Sequence, residues 1–262
     1  MPKKPLVTVL ITNYNKEKYI FETIQSIKNQ TYNKIQIIVI DNLSTDGSEK
    51  IVNKFKNVLK LNNNLKKTPA LNQIRSIEIG LKKSKGDIIF LLDGDDFFKK
   101  EKIENIVNLF SNNPKLQVIC DTPIIFTKKK REIFINNKKR LSNRYIWPTT
   151  FPTSSISLKK RYFTKTINLI KKNSFQFLEI DFRLCCLFPL LKDRLKIIEK
   201  NFTFYRQVDD GIMSGYPKFR KKWWVKRNQA FEFFEKINIS FGKKINYGAD
   251  FLLTKIIYFL IK

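Results

Sequence analysis

Three runs of apolar, mostly β-branched residues, at 6–12 (LVTVLIT), 35–40 (IQIIVI) and 88–92 (IIFLL), each stop abruptly at a polar cluster. Runs that are apolar at nearly every position, not at alternate ones, belong to strands buried on both faces, as in parallel sheets covered by helices. The intervening sequence has helical spacing. Ile20, Ile24 and Ile27 follow Asn15, which can cap a helix, and Ile51, Val52 and Phe55 follow Ser44 or Thr45, either of which can do the same. Thr68-Pro69 reads as a cap with proline in the first helical position, and Leu71, Ile74, Ile77 and Leu81 line the helix behind it. A short strand is expected at 58–61, and a further helix carries Ile103, Ile106, Val107 and Phe110. Strands and helices in this alternation imply right-handed crossovers, hence an α/β fold with a mostly parallel sheet covered by helices.

Ligands of such sheets sit outside the carboxyl ends of the strands. Three of those ends are polar: Thr12-Asn13-Tyr14-Asn15, Asp41-Asn42 and the run DGDD at 93–96. The topology predicts that they meet in one crevice. Three carboxylates in four residues (Asp93, Asp95, Asp96) repel each other, and burial without a counter-charge is costly. Mg²⁺ or Mn²⁺ answers that cost, because these ions take carboxylate oxygens and bridge to substrate phosphates. An acidic turn capping a helix near Lys99 is the other reading. Asp41 and Asn42 can hydrogen-bond a base or ribose, or serve the turn, and Tyr14 can stack on a base or simply pack.

Composition prunes the chemistry. The chain of 262 residues has no His, so proton transfer near neutral pH falls to Asp, Glu, Lys, Tyr or Cys. No glycine pattern marks a dinucleotide-binding or P-loop motif. Cys120, Cys185 and Cys186 form neither a disulfide framework nor a metal quartet, which points to core packing in a reducing, cytosolic setting. The net charge of +28 suits an anionic partner, whether nucleotide diphosphate, anionic lipid or nucleic acid. The lysines are spread over the whole chain, so no specific nucleic-acid partner is expected. A nucleotidyltransferase and a non-enzymatic nucleic-acid-binding protein stand as alternatives. The first should carry a glycine-rich N-terminal loop that ITNYNKEKY lacks, and the second should be indifferent to Asp93 and Asp95.

The stretches VTVLITNYN (7–15), IVIDNLSTDGS (38–48) and KGDIIFLLDGDD (85–96), followed by LEIDFRL (178–184) and FTFYRQ (202–207), closely resemble the family 2 glycosyltransferases of GT-A fold. The resemblance covers about the first four-fifths of the chain and is strongest before Phe97. It implies a metal-dependent, inverting transfer of a sugar from a nucleoside-diphosphate sugar to an acceptor hydroxyl. It places Thr12, Tyr14 and Asp41, with neighbouring Asn42, at the base and ribose. It makes Asp93 and Asp95 the DxD pair addressing ribose and Mn²⁺ or Mg²⁺, with Asp96 a further metal candidate. It also implies a carboxylate general base on the acceptor side, Asp181 first and Glu179 second, although either can instead pair with Arg183. The family often has Asp-Asp where this chain has Asp41-Asn42, an Arg-Asn pair near Ile77-Glu78, and an adjacent Glu-Asp where Glu179-Ile180-Asp181 stands. The expected product is a bacterial surface polysaccharide or a lipid-linked glycan.

The second half is less regular. Basic segments at 128–131 and 138–144 read as surface loops. The expected division is a catalytic domain over 1–215 and a helical tail over 216–262. Within the domain, 1–121 forms the nucleotide-sugar half and 122–215 the acceptor side. The apolar stretch 251–261 is interrupted by Thr254 and Lys255 and falls short of the ~20 residues a membrane span requires. It can pack on the catalytic domain, lie on an anionic membrane surface, or do both, which would put the protein at the inner face of the cell membrane.

Overall fold

The structure is a computed structural model that describes residues 4–126, 133–134, 150–208, 211–245 and 247–262. The basic segments at 128–131 and 138–144 lie outside the described residues. The first half alternates as its periodicity predicts: β1 (Val7–Asn13), α1 (Ile20–Lys28), β2 (Ile35–Asp41), α2 (Ser48–Val52), β3 (Val58–Asn62), α3 (Pro69–Lys83) and β4 (Ile88–Asp93). The strand pairs β1–β2, β2–β3 and β1–β4 are all parallel. Thr68 caps α3 by accepting from the Leu71 N–H, with Pro69 in the first turn. Asn15 does not cap α1, whose first turn follows Tyr19. It takes instead a left-handed backbone (φ 50°), which Asn tolerates because its short amide bonds locally. Ser44 and Thr45 likewise cap nothing, since α2 follows Gly47.

After β4 the chain makes β5 (Phe97–Phe98), α4 (Lys102–Asn112), β6 (Val118–Asp121), β7 (Ile124–Phe126), β8 (Ile133–Phe134), β9 (Ile156–Lys159), α5 (Lys160–Ile170), α6 (Ile180–Cys185), β10 (Leu195–Ile198) and β11 (Thr203–Arg206). The main sheet has seven strands in the order β10-β6-β9-β4-β1-β2-β3, parallel except for β9, which runs against both β4 and β6. A smaller sheet, β5-β11-β7-β8, stands beside its carboxyl edge. Apolar side chains fill both faces of the main sheet. Leu10, Ile38, Leu91, Ile74 and Ile77 meet Leu178, Leu184 and Phe233 on one side, and Val9, Val39 and Phe90 meet Ile24 and Ile106 on the other. Two helices end the chain, α7 (Lys221–Ser240) and α8 (Ala249–Ile261). α7 sends Ala230, Phe233 and Ile237 into the first of those two clusters, whereas α8 packs on α7.

Candidate functional site

Parallel register aligns the polar strand ends. Asn13 stands opposite Asp41, and Thr12 opposite Asp93. The Asp41 carboxylate accepts from Asn13 Nδ2 (2.7 Å), Ser44 N (2.9 Å) and Ser44 Oγ (2.6 Å). Ser44 thus closes a turn around Asp41, and Leu43 takes a left-handed backbone (φ 59°) to make it. The Asn15 side-chain Oδ1 accepts from Thr45 N (2.8 Å) and Lys16 N donates to Ser48 Oγ (3.0 Å), so the loops after β1 and β2 are laced into one ledge. Tyr14 projects from it, 54% exposed. Beneath, the side-chain oxygens of Asn13 and Asn42 are buried without a protein partner, as is that of Gln73 on α3. Two orphaned acceptors at strand ends and one on α3 suit a ligand carrying N–H and O–H groups, since buried acceptors are otherwise almost always paired.

The 93–96 turn caps no helix, for α4 begins only after Glu101. Gly94 is required here because an added Cβ would lie 2.8 Å from the Asn13 side-chain oxygen and 3.1 Å from the Thr12 carbonyl oxygen. Asp93 accepts from Thr12 Oγ1 (2.8 Å) and Gln73 Nε2 (2.9 Å). Burial, and then the charge of Asp95, push its carboxyl up to about 6. Asp95 pairs with Lys16 at 3.1 Å. Asp96 is fully buried and accepts from Ser154 Oγ (2.5 Å) and the Arg206 N–H (2.8 Å); burial and its acidic neighbours hold it well above the carboxylate range.

Ser154 Oγ also accepts from Asp93 N at 3.0 Å, so one hydroxyl pins both ends of the acidic turn. Its carbonyl takes a hydrogen bond from Lys102 Nζ at 2.7 Å. Lys102 forms a fully buried ion pair with Asp121 (2.8 Å), donates to Thr203 Oγ1 (2.6 Å), and lies over the Phe98 ring at 3.8 Å. Arg206 pairs with Glu22 and stacks on Phe97 and Tyr19, which ties β11 to α1 across the turn.

The second acidic group comes from α6. Its first residues leave Asp181 in the opening turn, where the backbone N–H of Phe182 bonds to Oδ1 at 2.6 Å. Burial, then the charge of Glu179, and more weakly that of Asp93, raise the Asp181 carboxyl to about 7. Glu179 pairs with Lys226 of α7. Neither acid pairs with Arg183. That guanidinium is buried and donates to the carbonyls of Leu178, Ile170, Lys172 and Phe175, closing the segment that leads into α6. Tyr205 of β11 lies in the field of Asp93, Asp95, Asp96 and Asp181, and burial with that field drives its phenol far above the ordinary range.

Thr12, Asp41, Asn42, Asp93, Asp95 and Asp96 therefore gather at the carboxyl ends of β1, β2 and β4, Asp181 stands within electrostatic reach of Asp93, Tyr14 is exposed beside them, and Glu179 is set back on Lys226. Sequence reading did not single out Gln73, Ser154, Lys16 or the Lys102–Asp121 pair. Ser154 had a trace there, the polar triplet Thr153-Ser154-Ser155 ending an otherwise aromatic stretch. Among the described residues no three acidic or Cys side chains converge as a ready metal cage. Asp95 with Asp93 offers one or two carboxylates, and the pressure on Asp93 is that of a negative charge short of a counter-ion. This fits Mg²⁺ or Mn²⁺, which commonly keeps substrate phosphates and water as its other ligands.

A helix-covered parallel sheet with acidic groups gathered at one strand end, and a further carboxylate facing them from a helix start, defines a transferase of the GT-A kind. Residues 8–178 match Glycosyl transferase family 2, and the chain belongs to that family. Two uncharacterized glycosyltransferases of Haemophilus influenzae are similar. One is 38% identical over 113 residues, 42% of this chain and 44% of the relative. The other is 27% identical over 98% of this chain and 77% of the relative. Among solved structures, Staphylococcus aureus TarS 1–349 in complex with UDP-GlcNAc superposes with a TM-score of 0.64 at 18% identity, over 86% of this chain and 65% of that one. The mannosyltransferase PcManGT of Pyrobaculum calidifontis, in complex with GDP-Man and Mn²⁺, gives 0.57 at 15% identity, over 97% of this chain and 70% of that one. The chain thus spans less than half of one curated relative and under two thirds of the TarS fragment.

Proposed function

We propose that this glycosyltransferase moves a sugar from a nucleoside-diphosphate sugar to an acceptor hydroxyl with inversion, using Mn²⁺ or Mg²⁺, in cytoplasmic synthesis of a surface polysaccharide or lipid-linked glycan. One observation carries the reading: Asp93 at the end of β4 and Asp181 at the start of α6, distant in sequence, stand close enough for the charge of one to raise the pKa of the other. A donor site and a base serving one sugar need that kind of proximity. TarS in complex with UDP-GlcNAc and PcManGT with GDP-Man and Mn²⁺ support the donor class.

In this reading Tyr14 stacks on the nucleobase, Asp41, Asn42 and Thr12 border the base and ribose, and Asp93 faces the ribose. Asp95, helped by Asp93, would hold the metal, which when bound offsets charge on the departing diphosphate. Asp96 keeps the acidic turn in place, since both of its oxygens are already used by Ser154 and Arg206. Asp181 takes the proton of the acceptor hydroxyl. The acceptor oxygen bonds to the anomeric carbon from the face opposite the diphosphate, the carbon–oxygen bond to the diphosphate breaks, and the nucleoside diphosphate leaves. Glu179 holds Lys226 and keeps Asp181 poised. Residues 1–121 supply the donor side, 122–215 the acceptor side, and 216–262 a helical buttress.

The test is thermal stabilisation by UDP-, GDP-, CMP- and dTDP-sugars with and without Mn²⁺, repeated on Asp95→Asn. A ligand at ~100 times its Kd adds about 2.7 kcal/mol. One nucleotide class should stabilise in a metal-dependent way and lose the effect in the variant. A folded chain that responds to no donor would overturn the reading, and so would a product whose anomeric configuration matches that of the donor.

A further inference from the structure

We infer that α8 and the basic turn before α7 form a docking surface for an anionic lipid bilayer, a partner lying outside the catalytic crevice. α8 is held by one side only. Phe251 meets Phe231 edge-on, Arg227 donates to Asp250 Oδ2 and Thr254 Oγ1, and Tyr247 bonds Glu235. On the opposite side Leu252, Leu253, Ile256, Phe259 and Leu260 are 58%, 52%, 59%, 79% and 73% exposed. At 100° per residue these five positions fall within about a third of the helix circumference, a continuous apolar stripe. Thirteen residues make a helix of about 20 Å, too short to cross a bilayer, so the stripe suits a helix lying in the interface.

Charge decides between a bilayer and a second apolar protein surface. The acids of the tail, Glu232, Glu235 and Asp250, all bond across the seam between α7 and α8, to Lys255, Tyr247 and Arg227. None falls on the stripe. Lys243 and Lys244 in the connection between α7 and α8, and Lys262 after the last turn of α8, are exposed. The contacts 227 with 254, 231 with 251 and 235 with 247 make the helices antiparallel, so the last turn of α8 comes level with the first turn of α7. There Lys218, Arg220, Lys221 and Lys222 are exposed around Phe219, itself 73% exposed and packed against Trp223 and Trp224. Apolar side chains and aromatic rings bordered by Lys and Arg, with acids withdrawn, match an anionic headgroup layer. A partner protein's apolar patch would gain nothing from the basic border.

The test is flotation of the full chain with vesicles of phosphatidylcholine alone and of phosphatidylcholine with phosphatidylglycerol. It is repeated on Ile256→Ser/Phe259→Ser/Leu260→Ser, which leaves the net charge and the crevice untouched. The parent should float with the anionic vesicles and less with the zwitterionic ones. The variant, with an unchanged far-ultraviolet spectrum, should lose about tenfold or more of its partitioning. Equal flotation of parent and variant would overturn the inference, because charge alone would then account for binding. A parent that forms dimers dissolved by the triple substitution would also overturn it, giving the stripe to a second copy. Donor-induced stabilisation is read separately, so failure here leaves the catalytic reading standing.

Discussion

In the proposed function Asp181 is the base that takes the acceptor's proton, and burial with the charge of neighbouring Glu179 raises its carboxyl to about 7. A base works best with a pKa near the operating pH, so turnover should rise through pH 7 and level off above it. The same shift acts on stability with the opposite sense. A carboxyl raised on folding from 3.8 to about 7 holds its proton more tightly in the folded chain. It therefore stabilises the fold in acid, and that contribution fades as pH climbs through 7. Asp181→Asn keeps the shape and carries no charge. At pH 8 it should melt at or above the parent temperature while kcat falls about 10²- to 10⁴-fold. A variant that keeps most of the parent kcat would move the base to Glu179.

The acidic turn owes its shape to residues far from it in sequence. Lys102 on α4 and Asp121 at the end of β6 form a buried pair whose ammonium also holds the Ser154 carbonyl, and Ser154 pins Asp93 and Asp96. Lys102→Met leaves Asp121 buried and unpaired, a change expected to cost about 3–5 kcal/mol. Lys102→Met/Asp121→Leu removes both charges and should recover much of that loss. If Ser154 positions the turn, the recovered double variant still shows weaker donor-induced stabilisation than the parent; donor binding at parent strength would reduce the pair to a packing feature. Of these parts the sequence shows some and hides others. β1, β2, β4 and α3 are legible because apolar runs and the Thr68-Pro69 cap are local signals. β5, β7 and β8 are two or three residues long, and β9 enters the sheet antiparallel, so each is defined by a partner far along the chain. The carboxylates could be named from their strand ends, whereas Lys102 reads only as one more lysine on a helix in a lysine-rich chain.

Over the whole molecule the chain carries +28 around a crevice that is locally acidic. Long-range attraction can draw an anionic nucleotide in, and in the proposed function a cation held by Asp95 would offset the acidic groups at close range. The two terminal helices divide their duties differently. α7 buries Ala230, Phe231, Phe233 and Ile237 and supplies Lys226 to Glu179, so it belongs to the core and also reaches the start of α6. α8 buries only Thr254 and covers Phe231 with Phe251. A chain ending at Gly242 should therefore fold with one cooperative transition. It loses about 2 kcal/mol from the uncovering of Phe231 and keeps donor-induced stabilisation. A chain ending at Gly215 strips Phe233 from Phe175 and leaves Glu179 without Lys226, and it should show no cooperative melting. Those outcomes would make the division between 1–215 and 216–262 one of role, not of independent folding. Cooperative melting of the shorter chain would show that the sheet and α3 to α6 close a sufficient core alone, and α7 would become an appendage to the acceptor side.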